Sequence, residues 1–461
     1  MRSIVLRLIV LILLPFGCQS KVAGAERPDI LLILADDVGI EGLGCYGGVS
    51  YQTPNLDRMA SRGVRFTRAY SQPLCTPTRI ELMTGRDNHR NWKSFGILDP
   101  GATTFGHALK EAGYSTGIFG KWQLQSYDPP DFPGGAKRRG TGMHPMNAGF
   151  DEYALFHALE TEDKGSRYAN PTMLEGVAGQ PGKLQHYPGR YGADVWVEKI
   201  LSFFDRHDDS PRFVYYPMAL PHWPFQPTPA TPGFDATAEQ PTDLSYAGDM
   251  IEYMDTAVGK LLSGLEERRL ADDVIVIFYS DNGTHLDVTS ALSDGRSIQG
   301  GKAMTTQTGI HVPLIVHCPQ RYSPRVSTEI VEASDFFPTL LELAGSAKTA
   351  PTNLDGVSFA EQLTGKSKAV RQAAFFWYDP RPGWDKDRFR RHVFALNKTH
   401  KFFRDGRLFR LGPKPLEERL VTTELAGDTS ARQELAKVIE EAMAGTSEPP
   451  LVDAFGDPTT H

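Results

Sequence analysis

The densest chemistry in this chain lies where Pro73-Leu74-Cys75-Thr76-Pro77-Thr78-Arg79 runs into a short apolar stretch and then Thr84-Gly85. Thr76 suits an N-cap, Pro77 the first helical position and Gly85 the residue just past the end. The spacing therefore predicts a short helix starting immediately after Cys75. A sulfur held there sits at the positive end of the helix dipole, among free backbone N–H groups, with the permanent charge of Arg79 close by. The combination is an anion site with a nucleophile in it. Two further pairs, Asp36-Asp37 and Asp281-Asn282, offer only carboxylate and amide oxygens. Without a thiolate or imidazole among them, such ligands suit a hard cation better than zinc.

The fold has to gather these groups. Residues 29–35 are continuously apolar after Asp29, as in a strand buried on both faces, and the run stops at Asp36-Asp37. Similar strands are expected at 115–119, which runs into Gly120-Lys121, at 213–220, which leads to Pro221-His222-Trp223-Pro224, at 274–279, which ends at Ser280-Asp281-Asn282, and at 312–317. Helical spacing is expected at 54–62, 104–112, 193–206, about 245–269 and 334–344. Alternating helices and buried strands predict an α/β fold with a large, mostly parallel mixed sheet sandwiched by helices. Ligands of such sheets gather at the carboxyl ends of the strands. Asp36, Asp37, Lys121, His222, Asp281 and Asn282 all fall at such ends and can share one rim. Between 125 and 192 no apolar period is sustained and Pro, Gly, Arg and Tyr are frequent, as in loop excursions that select substrates. Beyond 346, short strands at 374–377, 392–396, 401–404 and 407–411 predict a small antiparallel sheet, followed by one packed helix capped by Ser430.

With 461 residues, 40% hydrophobic and 23% charged, the chain has the composition of a soluble globular enzyme, and its net charge of −7 excludes a nucleic-acid binder. Arg2 and Arg7 followed by an apolar run at 8–16 have the charge and length of a signal peptide rather than a membrane span. Ala23-Gly24-Ala25 suits its cleavage, and Cys18 is an alternative lipid-anchor cysteine. The expected organisation is a signal peptide at 1–25, a catalytic domain at 26–345 and a C-terminal subdomain at 346–461. The protein is thereby expected to be exported, to the periplasm or the medium. Besides Cys18 and Cys75 only Cys45 and Cys318 remain, which is no disulfide framework.

The stretch from Pro73 to Gly85 resembles the signature of the formylglycine-dependent type I sulfatases of the alkaline phosphatase superfamily, Cys-x-Pro-Ser/Thr-Arg followed by an apolar run and Thr-Gly. The resemblance covers roughly residues 27–342, and the rest only in general layout. It implies that a maturation enzyme oxidises Cys75 to formylglycine, whose hydrate attacks the sulfur of a sulfate ester. It further implies that Asp36, Asp37, Asp281, Asn282 and an oxygen at position 75 hold one divalent cation, calcium or alternatively magnesium. Arg79, Lys121 and Lys302 match positions that neutralise the sulfate, and His222 one that protonates the leaving alcohol, with Lys302 the other candidate donor. Gln123 departs from the family, whose members usually place His there to help expel sulfate, and Gln is no base at neutral pH. His311 stands where Arg is frequent, and a structural role is adequate for it. The Tyr- and Arg-rich excursion and the export suggest a sulfated carbohydrate substrate. A phosphodiester or phosphonate hydrolase of the same superfamily and a non-catalytic binder of sulfated glycans are the rival readings.

Overall fold

Strand β1 (Ile30–Ala35) is apolar throughout and wholly out of water, because both of its faces are covered. A computed structural model describes residues 27–126, 135–159, 166–365, 371–383 and 390–459. The expected signal peptide, its cleavage site and Cys18 lie outside the described residues. Along the chain β1 is followed by β2 (Val64–Tyr70), β3 (Ser115–Lys121), β4 (Glu152–Phe156), β5 (Thr172–Val177), β6 (Lys183–His186), β7 (Arg212–Pro217) and β8 (Ile275–Ser280). A small hairpin, β9 (Thr289–Ala291) and β10 (Ser297–Gln299), precedes β11 (His311–His317), β12 (Arg325–Ser327) and β13 (Val331–Glu332). The main sheet has 11 strands in the order β12-β2-β11-β8-β1-β7-β3-β4-β5-β6, with β13 also on β2.

Its centre, β8-β1-β7-β3-β4, is parallel, whereas β11 runs antiparallel to both β8 and β2, and β5 and β6 add antiparallel strands at the far edge. Side chains of β1 alternate between two cores. Ile30, Leu32 and Leu34 face one that takes in the Cys75–Thr84, Phe105–Glu111 and Phe336–Leu343 helices. Leu31, Ile33 and Ala35 face the other, covered by the Pro54–Arg62, Gly192–Arg206 and Ala247–Glu267 helices. This is the sandwiched, mostly parallel sheet that the alternating pattern predicts.

A second, five-stranded antiparallel sheet follows: β14 (Ala374–Tyr378), β15 (His392–Leu396), β16 (His400–Phe403), β17 (Leu408–Leu411) and β18 (Glu418–Leu420). The last helix, Ala426–Met443, sends Leu435 and Ile439 into the first core together with Phe375 and Trp377 of β14. Ser430 does not cap it. The helix begins four residues earlier, at Ala426, where the Asp428 carboxylate accepts from the backbone N–H of Leu425 at 2.7 Å. The stretch from 125 to 192 is also more regular than expected, since it contributes β4, β5 and β6. Every residue of β6 is exposed, so no buried face marks it as a strand. Among the described residues no helix is long and apolar enough to cross a membrane.

Gly120 shows how tightly β3 and β7 approach. With φ of +129°, it lies where a Cβ would sit 1.9 Å from the Pro217 carbonyl oxygen. Gly120→Ala is expected to cost about 3 kcal/mol, from strain and displaced strands together. The expected outcome is a lower urea midpoint and reduced activity, read by circular dichroism and a turnover assay on one preparation.

Candidate functional site

Four strands of the parallel centre deliver their last residues to one rim. Asp36 and Asp37 follow β1, Lys121 ends β3, His222 lies on the segment leaving β7, and Asp281 and Asn282 follow β8. The helix Cys75–Thr84 begins directly beneath them. Its N-cap is Leu74, not Thr76, so Cys75 is itself the first helical residue. Thr76 is inside the helix with its hydroxyl accepting from Gly96 N–H at 3.3 Å, while Gly85 closes the helix in the left-handed conformation at φ +64°. The start moves back by two residues because Thr78 N–H reaches the Leu74 carbonyl at 3.2 Å. The sulfur gains the helix's positive end more directly than a cap at Thr76 would allow.

Each carboxylate of the rim is held by a cation. Lys121 Nζ donates to Asp36 Oδ2 at 2.8 Å, and Lys302 Nζ donates to Asp37 Oδ2 at 2.5 Å. The Arg79 guanidinium grips Asp281 Oδ2 through Nε at 3.1 Å and a terminal nitrogen at 2.8 Å. Asp281 Oδ1 accepts from Asp37 N–H at 3.2 Å, and Asn282 Nδ2 donates to Asp37 Oδ1 at 2.7 Å. Asp37 adopts φ +75°, a left-handed conformation that turns its carboxylate into the rim. The Cys75 sulfur and one oxygen each of Asp36 and Asp281 lie within 4.8 Å of one another, as do oxygens of Asp36 and Asp37 and a ring nitrogen of His222. A thiol and an imidazole therefore border the oxygen cluster that the sequence places there. The structure thus brings together Asp36, Asp37, Cys75, Arg79, Lys121, His222, Asp281, Asn282 and Lys302. His311 lies apart from them, inside the sheet, with Nε2 2.9 Å from the Thr67 carbonyl and its ring against Tyr70.

Two buried oxygens, Asp36 Oδ1 and Asn282 Oδ1, have no hydrogen-bond partner. Buried acceptors are rarely left so, because desolvation without a partner costs about 1–3 kcal/mol. A divalent cation bound by carboxylate and amide oxygens would satisfy both, so the residues present fit the metal that the chemistry of the donor set points to. Burial pushes the Asp36 carboxyl up, but Lys121, Arg79 and Lys302 outweigh it and leave Asp36 below its ordinary range. Asp281, buried beside that charge, is pushed up to about 7 despite Arg79. Burial together with Lys302, Lys121 and Arg167 holds the His222 imidazole well below its ordinary value.

Glycines make the floor. A Cβ at Gly283 would meet the Thr308 carbonyl at 1.9 Å, one at Gly309 the Met304 carbonyl at 1.9 Å, and one at Gly301 the Thr308 hydroxyl at 2.3 Å. The Lys302 turn is further tied down by Lys302 N–H to the Thr284 carbonyl at 3.0 Å and Ala303 N–H to the Pro73 carbonyl at 2.7 Å.

Gln123 is part of the rim: the Cys75 thiol donates to its Oε1 at 3.1 Å. Arg167, which sequence reasoning missed, stacks over Phe156 and Tyr168, each 5.0 Å from the guanidinium, and reaches His222 Nδ1 at 2.9 Å and the Trp223 carbonyl. No periodicity flags it, since it is a lone Arg in an aperiodic stretch. Thr284 and Glu41 were missed as well. The Thr284 hydroxyl donates to Glu41 Oε1 at 2.6 Å and accepts from Gly39 N–H at 2.9 Å, which locks the loop after β1 to the loop after β8.

A family model described as sulfatase matches residues 28–346, and one described as N-sulphoglucosamine sulphohydrolase, C-terminal, matches 301–405. The chain belongs to the sulfatase family. It is 30% identical to arylsulfatase A of Homo sapiens, over 84% of this chain and 77% of that protein. It is likewise 30% identical to N-acetylgalactosamine-6-sulfatase of Canis lupus familiaris, over 83% and 75%. Among solved structures, one in complex with its substrate D-glucosamine-2-N,6-O-disulfate superposes with a TM-score of 0.69 at 21% identity, covering 91% of this chain and 98% of that one. The fold is thus the alkaline-phosphatase-like fold of sulfatases, and the chain is a sulfatase enzyme, which removes the non-catalytic reading.

All three described cysteines are free, with Cys75 and Cys318 buried and Cys45 half-buried. Burial raises the Cys75 thiol pKa, that of Cys45 to about 12 and that of Cys318 to about 11. A raised pKa leaves little thiolate near neutrality. Unconverted protein is therefore expected to resist iodoacetamide at pH 8 while folded and to take up label at all three thiols once unfolded, as counted by peptide mass spectrometry.

Proposed function

We propose that this sulfatase is an exported enzyme that releases inorganic sulfate from a sulfated carbohydrate, with residue 75 at its reacting centre. The observation that carries the reading is the Cys75 sulfur at a helix N-terminus, beside Asp36 and Asp281 and ringed by Arg79, Lys121 and Lys302. Export is supported by Arg2, Arg7 and the apolar run at 8–16. A formylglycine made from Cys75 by a maturation enzyme would supply the nucleophile as its hydrate, and a divalent cation held by Asp36, Asp37, Asp281 and Asn282, calcium or alternatively magnesium, would supply charge that polarises a sulfate oxygen.

The chain's own residues do the rest. Arg79, Lys121 and Lys302 present fixed positive charge in a site shut off from water, where it acts on developing anionic charge more strongly than in solvent. Lys302 is locked onto Asp37 and, despite burial, its pKa is raised by Asp37, so it keeps its proton and serves as a charge. His222 is the group suited to transfer a proton. Burial and the neighbouring cations hold the ring neutral in the free site, and the negative charge of an arriving sulfate ester opposes the cations, which favours the protonated ring that donates to the leaving alcohol. Arg167 fixes the ring through Nδ1, leaving Nε2 on the side of Asp37, 3.8 Å from Oδ2. Gln123 accepts a hydrogen bond from the group at position 75 and orients it, without acting as a base.

Mass spectrometry of the tryptic peptide containing residue 75 is expected to show sulfur and two hydrogens exchanged for one oxygen. Cys75→Ala is expected to abolish sulfate release from 4-nitrophenyl sulfate while shifting the unfolding midpoint little. A converted wild-type protein that hydrolyses 4-nitrophenyl phosphate faster than the sulfate would sink this reading and favour the phosphoryl-transfer rival. Gln123→His adds a base that works only when deprotonated. Its kcat is therefore expected to rise with pH through an inflection at or below about 6.5, a limb that the wild-type profile lacks.

A further inference from the structure

Of the tryptophans described, Trp92, Trp122, Trp196 and Trp377 are buried, whereas Trp223 is 44% exposed. It follows His222 directly in the chain. Its indole stacks on the His285 ring with centroids 6.2 Å apart and planes 24° from parallel, and its edge meets Phe225 at 5.4 Å and 89°. His285 in turn belongs to the loop that begins with Asp281 and Asn282, and its carbonyl lies 2.1 Å from where a Cβ of Gly300, two residues before Lys302, would stand. The indole is thus hung between the loops that carry His222, Asn282 and Lys302. One face is braced by His285 while the ring stays open to solvent at the mouth of the site.

We propose that Trp223 is a stacking platform for a pyranose ring, the sugar that carries the sulfate ester. The proposal rests on the reading of residue 75 and its neighbours as the sulfate-ester site. A large apolar ring left in water is unfavourable by itself, and this one is held in place by aromatic contacts rather than folded away. Polar groups flank it: the His285 imidazole, the Asp287 carboxylate 3.7 Å from His285 Nδ1, and the Arg167 guanidinium bonded to the Trp223 carbonyl. A pyranose matches that mixture, since it offers a face of C–H groups to the indole and hydroxyls around its edge to charged and imidazole partners. A wholly apolar aglycone would cover the indole but strip water from those polar groups without offering them a hydrogen bond in its place. A protein partner would need a continuous apolar patch, and the ring's surroundings are charged.

The test compares converted wild-type protein, Trp223→Ala and Trp223→Phe on monosulfated glucosamine, N-acetylgalactosamine, galactose and fucose, with inorganic sulfate as a competitive inhibitor that carries no ring. For the saccharides turned over, Trp223→Ala is expected to raise KM about tenfold, one aromatic face's contribution. Its kcat should stay within about twofold and its inhibition constant for sulfate should not change, while Trp223→Phe restores most of the loss. The platform is overturned if KM is unaffected, if the sulfate constant rises in step with KM, or if Phe is as poor as Ala. It is also overturned if wild type cleaves 4-nitrophenyl sulfate but none of the saccharides, an outcome that leaves the sulfatase reading standing. Failure of converted wild type on every sulfate ester removes the underlying site assignment, and the platform with it.

Discussion

Everything at the rim of this sheet depends on taking six charges out of water together. Asp36, Asp37 and Asp281 are each 1% exposed or less, and Arg79 and Lys121 are nearly as deep. An isolated ion in such a place is prohibitively costly, so each carboxylate has its own cation: Lys121, Lys302 and Arg79 in turn. The three pairs cancel, yet two oxygens remain without partners. A divalent cation added to that set leaves an excess of positive charge facing the mouth, which is the polarity a sulfate monoester requires. Charge balance, more than any single contact, explains why a protein of net charge −7 can attract an anionic substrate.

The scaffold meets this demand by geometry. Parallel strands all end on the same side, so β1, β3, β7 and β8 put their exit residues within reach of one another although they come from widely separated parts of the chain. The Cys75–Thr84 helix enters from one face of the sheet, anchored in a core distinct from the one that supports the Ala247–Glu267 helix. Contacts between the loops then remove slack: Thr284 joins the exit of β1 to that of β8, and the Pro73 carbonyl ties the start of the Cys75 segment to the Lys302 turn.

The sheet centre and most of the rim were readable from residues alone, because a doubly buried strand has to be continuously apolar and its polar exit then stands out. Asp36-Asp37 after β1 and Asp281-Asn282 after β8 are such exits. Other parts were hidden for physical reasons. Strand β2 carries Arg65 and Arg68 on half-covered positions, and β6 is exposed throughout, so neither shows the period of a buried strand. Thr76 has the chemistry of a cap but lost the position to Leu74, because a backbone bond to Leu74 outcompetes a side-chain bond two residues later. Arg167 and Trp223 matter through contacts across loops, which no local spacing encodes.

The glycine-packed floor has an evolutionary corollary. Beneath Asn282 and Lys302 the backbone of one turn lies against that of another with no volume for even a methyl group at Gly283 or Gly309. Substitutions there disturb the ions before they touch the substrate, so that region offers no route by which the preferred alcohol can drift. Among the described residues, room for change lies instead in the loop segments that carry Arg167 and Trp223, which border His222. A single invariant chemical step can in this way be re-aimed at new molecules by remodelling the doorway alone.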